Sequence, residues 1–137
     1  RTCAPQQPLP MDGVDMPCSL TADCSLVDHR VYTIRLRKMG EFLDVFDRLA
    51  MPVLLQTLGR PLGFHVSLVG PLNQFVHFWG YDSLCEYERR SAERDAHPDF
   101  PAYLLASEHL IVAQETRLLR STAMKSLEGF PLVPRAI

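Results

Sequence analysis

The chain has 137 residues, enough for one domain with little room for a second core. Hydrophobic residues at 47% and charged residues at 22% match ordinary globular usage, which excludes wholesale disorder and fibrous repeats. The net charge is −2 with no basic block interleaved with aromatics, and no apolar run approaches the ~20 residues of a membrane-crossing helix, so neither nucleic acid nor a transmembrane segment is expected.

Residues 1–26 carry Pro5, Pro8, Pro10 and Pro17 without a sustained apolar period and read as a flexible leader. Its Asp12, Asp15 and Asp23 against Arg1 alone do not suit an organelle presequence, and it lacks the continuous apolar segment of a secretory signal. Cys3, Cys18, Cys24 and Cys85 match neither paired zinc-ligand spacing nor a dense disulfide framework. Thiols in a reducing compartment, hence a cytoplasmic location, are the default; a Cys18–Cys24 bridge clipping the leader is the alternative.

The domain proper is expected over residues 27–122. Residues 27–37 mix β-branched and aromatic residues with charges, as a strand does. Met39, Phe42, Leu43, Phe46, Leu49, Val53 and Leu54 then recur at three- and four-residue steps, an amphipathic helix that shows Glu41, Asp44, Asp47 and Arg48 to water. Pro52 should kink or restart it, and Gly59 and Pro61 mark its end. Two strand-like runs, 62–70 and 73–81, join through Gly70, Pro71 and Leu72 as a hairpin. Ser83 with Glu86 has the form of a capping box, so a helix starts there, breaks at His97-Pro98-Asp99 and resumes through Tyr103. Residues 111–121 make a last strand, and 123–137 fade into a coil tail.

The order β-α-β-β-α-β predicts an α+β, ferredoxin-like domain, a four-stranded antiparallel sheet with both helices on one face. The opposite face would then be a large apolar patch for a monomer, and a second copy packed sheet against sheet, enclosing a cavity, is the simplest cover. Alternation along 74–81 separates Phe75, His77, Trp79 and Tyr81 from Gln74, Val76, Phe78 and Gly80. The first set joins aromatic area to polar tips and is assigned to the open face as a pocket wall; the second is assigned to the helices. Arg30, Tyr32 and Ile34 share one side of the first strand.

His77 is the candidate catalytic group, against a plainer reading as a hydrogen-bonded structural histidine. Trp79 and Tyr81 serve equally as packing, and Arg30 as half of an ion pair or as an anchor for an anionic ligand. The charged run Glu86 to Asp95 reads as a solvated helix face. There is no phosphate loop, GxSxG elbow, HExxH or acidic calcium loop. The five histidines fall on different elements, so no metal and no cofactor is expected. Cys85, although at a helix start, reads as an ordinary thiol.

Arg30-Val-Tyr-Thr-Ile-Arg, Lys38-Met-Gly-Glu-Phe-Leu, the run from Gly70 through Leu-Asn-Gln-Phe-Val-His-Phe-Trp-Gly-Tyr-Asp-Ser to Leu84, and Glu115-Thr-Arg-Leu-Leu-Arg resemble a NIPSNAP domain over about residues 27 to 127. The resemblance implies a ferredoxin-like domain that dimerises through its sheet as a dimeric α/β barrel, with Arg30, Tyr32, Asn73, His77, Trp79 and Tyr81 as signature positions. It implies mitochondrial association, with vesicle trafficking or mitophagy recruitment, for animal members, while many bacterial members are uncharacterised. Cofactor-independent monooxygenases and haem-degrading enzymes share the broader barrel by fold analogy alone. The leader, Cys85 and Tyr87 depart from the family pattern. Three functions follow: a homodimer binding a small molecule or partner in an inter-sheet cavity; a cofactor-free monooxygenase or isomerase with His77 as general acid/base and Asn73 or Tyr81 orienting the substrate; and a recruitment adaptor.

Overall fold

The computed structural model describes residues 24–129. β1 (Leu26–Ile34) leads through α1 (Met39–Val45), a π-helical segment (Phe46–Ala50) and α2 (Met51–Thr57) into β2 (Arg60–Val66) and β3 (Gln74–Tyr81). α3 (Leu84–Ala96), α4 (Phe100–Ser107) and β4 (Ile111–Arg120) follow. The sheet order is β2-β3-β1-β4 with every neighbouring pair antiparallel, the expected ferredoxin-like topology.

Of the two outcomes expected at Pro52, the structure shows the restart: a new α-helical segment begins at Met51. The five-residue π turn immediately before it widens the backbone, and Pro52 falls in the first turn of α2, where a missing N–H costs little. Pro61 lies inside β2 instead of ending the helix. β2 is an edge strand, which tolerates proline, and its register with β3 shifts between Pro61 and Gly63. The start of α3 follows the predicted cap. Ser83 Oγ accepts from Glu86 N–H at 3.1 Å, while Glu86 Oε2 accepts from Asp82 N–H at 2.6 Å, one residue earlier than a standard capping box. Cys85, in the first turn of α3, is disulfide-bonded, which corrects its reading as an ordinary thiol. The Cys18–Cys24 alternative involves Cys18, outside the described residues.

The helices cover one face of the sheet. Phe42, Phe46, Ala50, Val53, Leu54 and Leu58 from the first helical stretch and Phe100 and Tyr103 from α4 pack on Tyr32, Ile34, Phe75, Trp79 and Tyr81. This reverses the predicted faces of β3. Phe46 lies 4.9 Å from Phe75 and 5.5 Å from His77, ring centre to ring centre, so the Phe75-His77-Trp79-Tyr81 set points at the helices. The open face holds Val76 and Phe78 with Val27, His29 and Val31 of β1, all half-buried. The reason is area: Trp79, Tyr81, Phe75 and His77 bring far more surface to bury than Gln74, Val76 and Gly80, and the helical layer takes the larger set. β4 is exposed along nearly its whole length, with Val112, Leu118 and Leu119 left open.

Candidate functional site

Alternation along β1 sends Asp28, Arg30, Tyr32 and Ile34 to the helix side. Cross-strand pairing sets Asp28 opposite Trp79, Arg30 opposite His77 and Tyr32 opposite Phe75. Five of the six predicted site residues, Arg30, Tyr32, His77, Trp79 and Tyr81, are therefore buried together between sheet and helices, and none of the five faces the open side. Asn73 stands apart, just before β3. Its φ of 61° lies in the left-handed region that asparagine tolerates, and its carbonyl accepts from Ile34 N–H at 2.7 Å, so its observed role is to shape the turn.

Asp28 is the member that sequence reading missed. It is fully buried, and one carboxylate oxygen, Oδ2, accepts from Arg30 Nε and pairs with Arg30 Nη2, each at 2.8 Å. Burial pushes the Asp28 carboxyl up, and the adjacent guanidinium only partly offsets this. For Arg30 burial acts downward, yet Tyr32 and Asp28 outweigh it and hold the guanidinium charged. The sequence signal was present: an acid two residues before Arg30 shares its strand face.

His77 is held by Trp79, whose indole Nε1–H donates to Nδ1 at 2.8 Å. Indole nitrogen only donates, so Nδ1 carries the lone pair and the neutral ring bears its proton on Nε2. Burial, with a smaller contribution from the Arg30 charge, drives the imidazole pKa down to about 3. His77 is thus a neutral hydrogen-bond donor at neutral pH. Of the two nitrogens a general acid/base would use, Nδ1 is occupied by Trp79, and Nε2–H has no hydrogen-bond partner among the described residues. Burial also pushes the Tyr81 hydroxyl up to about 12 and raises that of Tyr103, so both stay protonated.

The His77 ring stacks at 4.9 Å on Phe75 and at 6.0 Å on Phe64, and these two phenylalanines also line a cleft of about 440 Å³. The cleft opens between the first helical stretch and the β2–β3 edge. Leu43, Asp44, Phe46, Asp47 and Met51 form its other walls. Phe46 meets Phe75 edge-on, and Phe64 remains 39% exposed. Of the cleft residues only Phe75 belonged to the predicted pocket wall, and that on the opposite face; the helical period assigns Asp44 and Asp47 to solvent and Phe46 to the core. Only the tertiary approach of β2 makes a cleft of them.

The inter-sheet cavity expected on the open side is not where the predicted residues lie. That face instead carries an aromatic pair, His29 stacked on Phe78 at 4.8 Å, with His65 edge-on at 5.9 Å. Among the described residues no three His, Cys, Asp or Glu side chains group as metal ligands, and no helix is long and apolar enough to cross a membrane.

Comparison with known proteins places the fold. The family model NIPSNAP matches residues 27–125. An uncharacterised NIPSNAP-like domain protein from Burkholderia xenovorans is 32% identical with a TM-score of 0.66, the match covering 73% of this chain and 85% of that one. A NIPSNAP family protein from Agrobacterium tumefaciens is also 32% identical, with a TM-score of 0.68 over 71% of this chain and 92% of the other. A cofactor-independent oxygenase from Streptomyces nogalater, solved as a mutant, matches at 19% identity and a TM-score of 0.53, covering 76% and 98%; that likeness is one of fold alone. No curated protein matches the chain.

Proposed function

This chain belongs to the NIPSNAP family, and from that premise we propose that it is a binding module that takes a small apolar molecule into the cleft between the first helical stretch and the β2–β3 edge. The observation that carries this reading is the cleft itself. Its volume of about 440 Å³ falls in the range of small-molecule sites, and Phe46, Phe64 and Phe75 offer aromatic faces suited to a ring or short chain. His77, stacked beneath Phe64 and Phe75, stiffens that floor through its bond to Trp79. Thermal shift with naphthalene- and anthraquinone-type compounds tests it, because a ligand that binds only the native chain raises apparent stability. Half-buried Met51 lines the cleft, so Met51→Trp should fill it and abolish the shift while circular dichroism stays native. The absence of any stabilising compound, or an unchanged shift in Met51→Trp, overturns the reading.

The assembly we propose is a homodimer closed sheet to sheet. Support comes from the uncovered face, where Val27, Val31, Val76 and Phe78 lie beside exposed Leu119 of β4. Val31→Asp should give monomers in sedimentation; an undisturbed dimer, or a monomeric wild type, refutes this interface.

A catalytic reading survives only in narrower form, favoured by one observation, the unpartnered buried Nε2–H of His77. Such a donor can stabilise negative charge developing on a substrate oxygen. Turnover of phenolic or quinone compounds by wild type, lost in His77→Ala, would support it; equal turnover by both would exclude His77.

A further inference from the structure

Resting on the cleft reading above, we propose that the ligand of this site is an organic cation, a protonated amine carried on an apolar body. The walls and the rim differ in kind. Leu43, Phe46, Met51, Phe64 and Phe75 are apolar, and the two charged residues that line the cleft, Asp44 and Asp47, are both carboxylates. They stand three residues apart on one continuous helical stretch, which brings them to the same side of it. No lysine, arginine or histidine lines the cleft.

Neither carboxylate is held in a buried or strong pairing. Asp47 makes no ion pair among the described residues, while Asp44 meets Arg48 at 3.5 Å with both side chains well exposed, a contact a ligand cation displaces at little cost. The floor adds a second attraction. A phenylalanine face carries negative potential, and Phe64 is 39% exposed, so an ammonium held near the rim meets both carboxylates and π density. A carboxylate or phosphate ligand meets the opposite, two like charges at the entrance and no basic residue in the lining. Apolar body inside and charge at the rim is the arrangement that avoids burying an unpaired ion.

The competing occupant is the β2–β3 turn of a second copy, whose Leu68 and Val69 are 88% and 87% exposed. That turn is neutral and gains nothing from Asp44 or Asp47, so charge separates the two. The test uses three probes of one shape, 1-naphthylmethylamine, 1-naphthylmethanol and 1-naphthoate, titrated calorimetrically at low and high salt against wild type, Asp44→Asn/Asp47→Asn and Met51→Trp. The amine should bind wild type about tenfold tighter than the alcohol, as one ion pair and one cation–π contact allow. The naphthoate should bind weakest, and high salt should erode the amine's advantage. The double asparagine variant should equalise amine and alcohol, and Met51→Trp should bind neither. Equal amine and alcohol affinities in wild type, or an advantage that survives in the asparagine variant, overturn the cation assignment while leaving the cleft reading intact. If no probe binds wild type at any dilution of protein, both fall; probe binding only below the dimer dissociation range assigns the cleft to the second copy's turn and overturns the proposal.

Discussion

Replacing Arg30 by methionine keeps most of the side-chain stem and removes the guanidinium from a site where Asp28 has no exposed surface. Asp28 Oδ2 accepts from Arg30 Nε and pairs with Arg30 Nη2, each at 2.8 Å, and Oδ1 has no partner among the described residues. The variant would leave an uncompensated buried carboxylate, a change that costs about 3–5 kcal/mol in comparable sites. Against a typical total of about 5–15 kcal/mol that is a large share of the domain's stability. Trp79 is the single tryptophan and fully buried, so its fluorescence in urea reports the unfolding directly.

The pH dependence makes this test sharper. Burial already holds the folded Asp28 carboxyl above its ordinary value of 3.8, with Arg30 pulling it back. Without Arg30 it rises further, so the folded state binds a proton more tightly than the unfolded chain does. Stability of the Arg30→Met variant should then fall by about 1.4 kcal/mol per pH unit as pH rises from near 4 until the folded carboxyl ionises. Asp28→Asn/Arg30→Met carries neither charge and should be flat over the same range and more stable than Arg30→Met at neutral pH. A single variant within about 1 kcal/mol of wild type, below the usual cost of breaking a buried pair, would refute the reasoning. So would a double variant no more stable than the single one.

His77 has a folded pKa lowered from 6.5 to about 3, so the unfolded chain takes up the proton first and stability from this group, complete above about 6.5, is lost as pH falls, by about 1.4 kcal/mol per unit. His77→Phe removes that slope and strips the Trp79 indole of its acceptor, costing about 1–3 kcal/mol at neutral pH, so its urea-derived stability should approach that of wild type toward pH 4.5; parallel curves would refute this. Ser83→Ala should cost about 1 kcal/mol by removing the acceptor of Glu86 N–H, and no change in urea midpoint would deny the cap its role. Gly59→Ala should cost about 1–3 kcal/mol or more, since an added Cβ would lie 2.1 Å from the Gly80 carbonyl oxygen of β3; a variant as stable as wild type would contradict that approach.

The element order was legible because each signal was local: the Ser83 cap, the three- and four-residue apolar steps of 39–54, the break at His97-Pro98, and the turn after Val69. The facing of β3 was not. Both sides of 74–81 carry enough apolar matter to be buried, and alternation separates two faces without saying which meets the helices. Polarity suggested that the histidine, tryptophan and tyrosine would seek a wet cavity, yet the Trp79 N–H is satisfied inside the set by His77 Nδ1, and the area these rings bury outweighs the His77 Nε2–H and Tyr81 hydroxyl left without a partner among the described residues. An acid two residues before an arginine on a central strand was the available clue. Asp28 and Arg30 can both be buried only as a pair, and a paired buried charge fixes its strand face more firmly than aromatic content does. The cleft lay beyond reach for a different reason. Its lining comes from residues 43–51 and from Phe64 and Phe75, and a helix face that looks solvated in isolation becomes a wall only when an edge strand stops short of covering it. Charge left at such a rim then does what charge on a plain solvated face does not: it selects what enters.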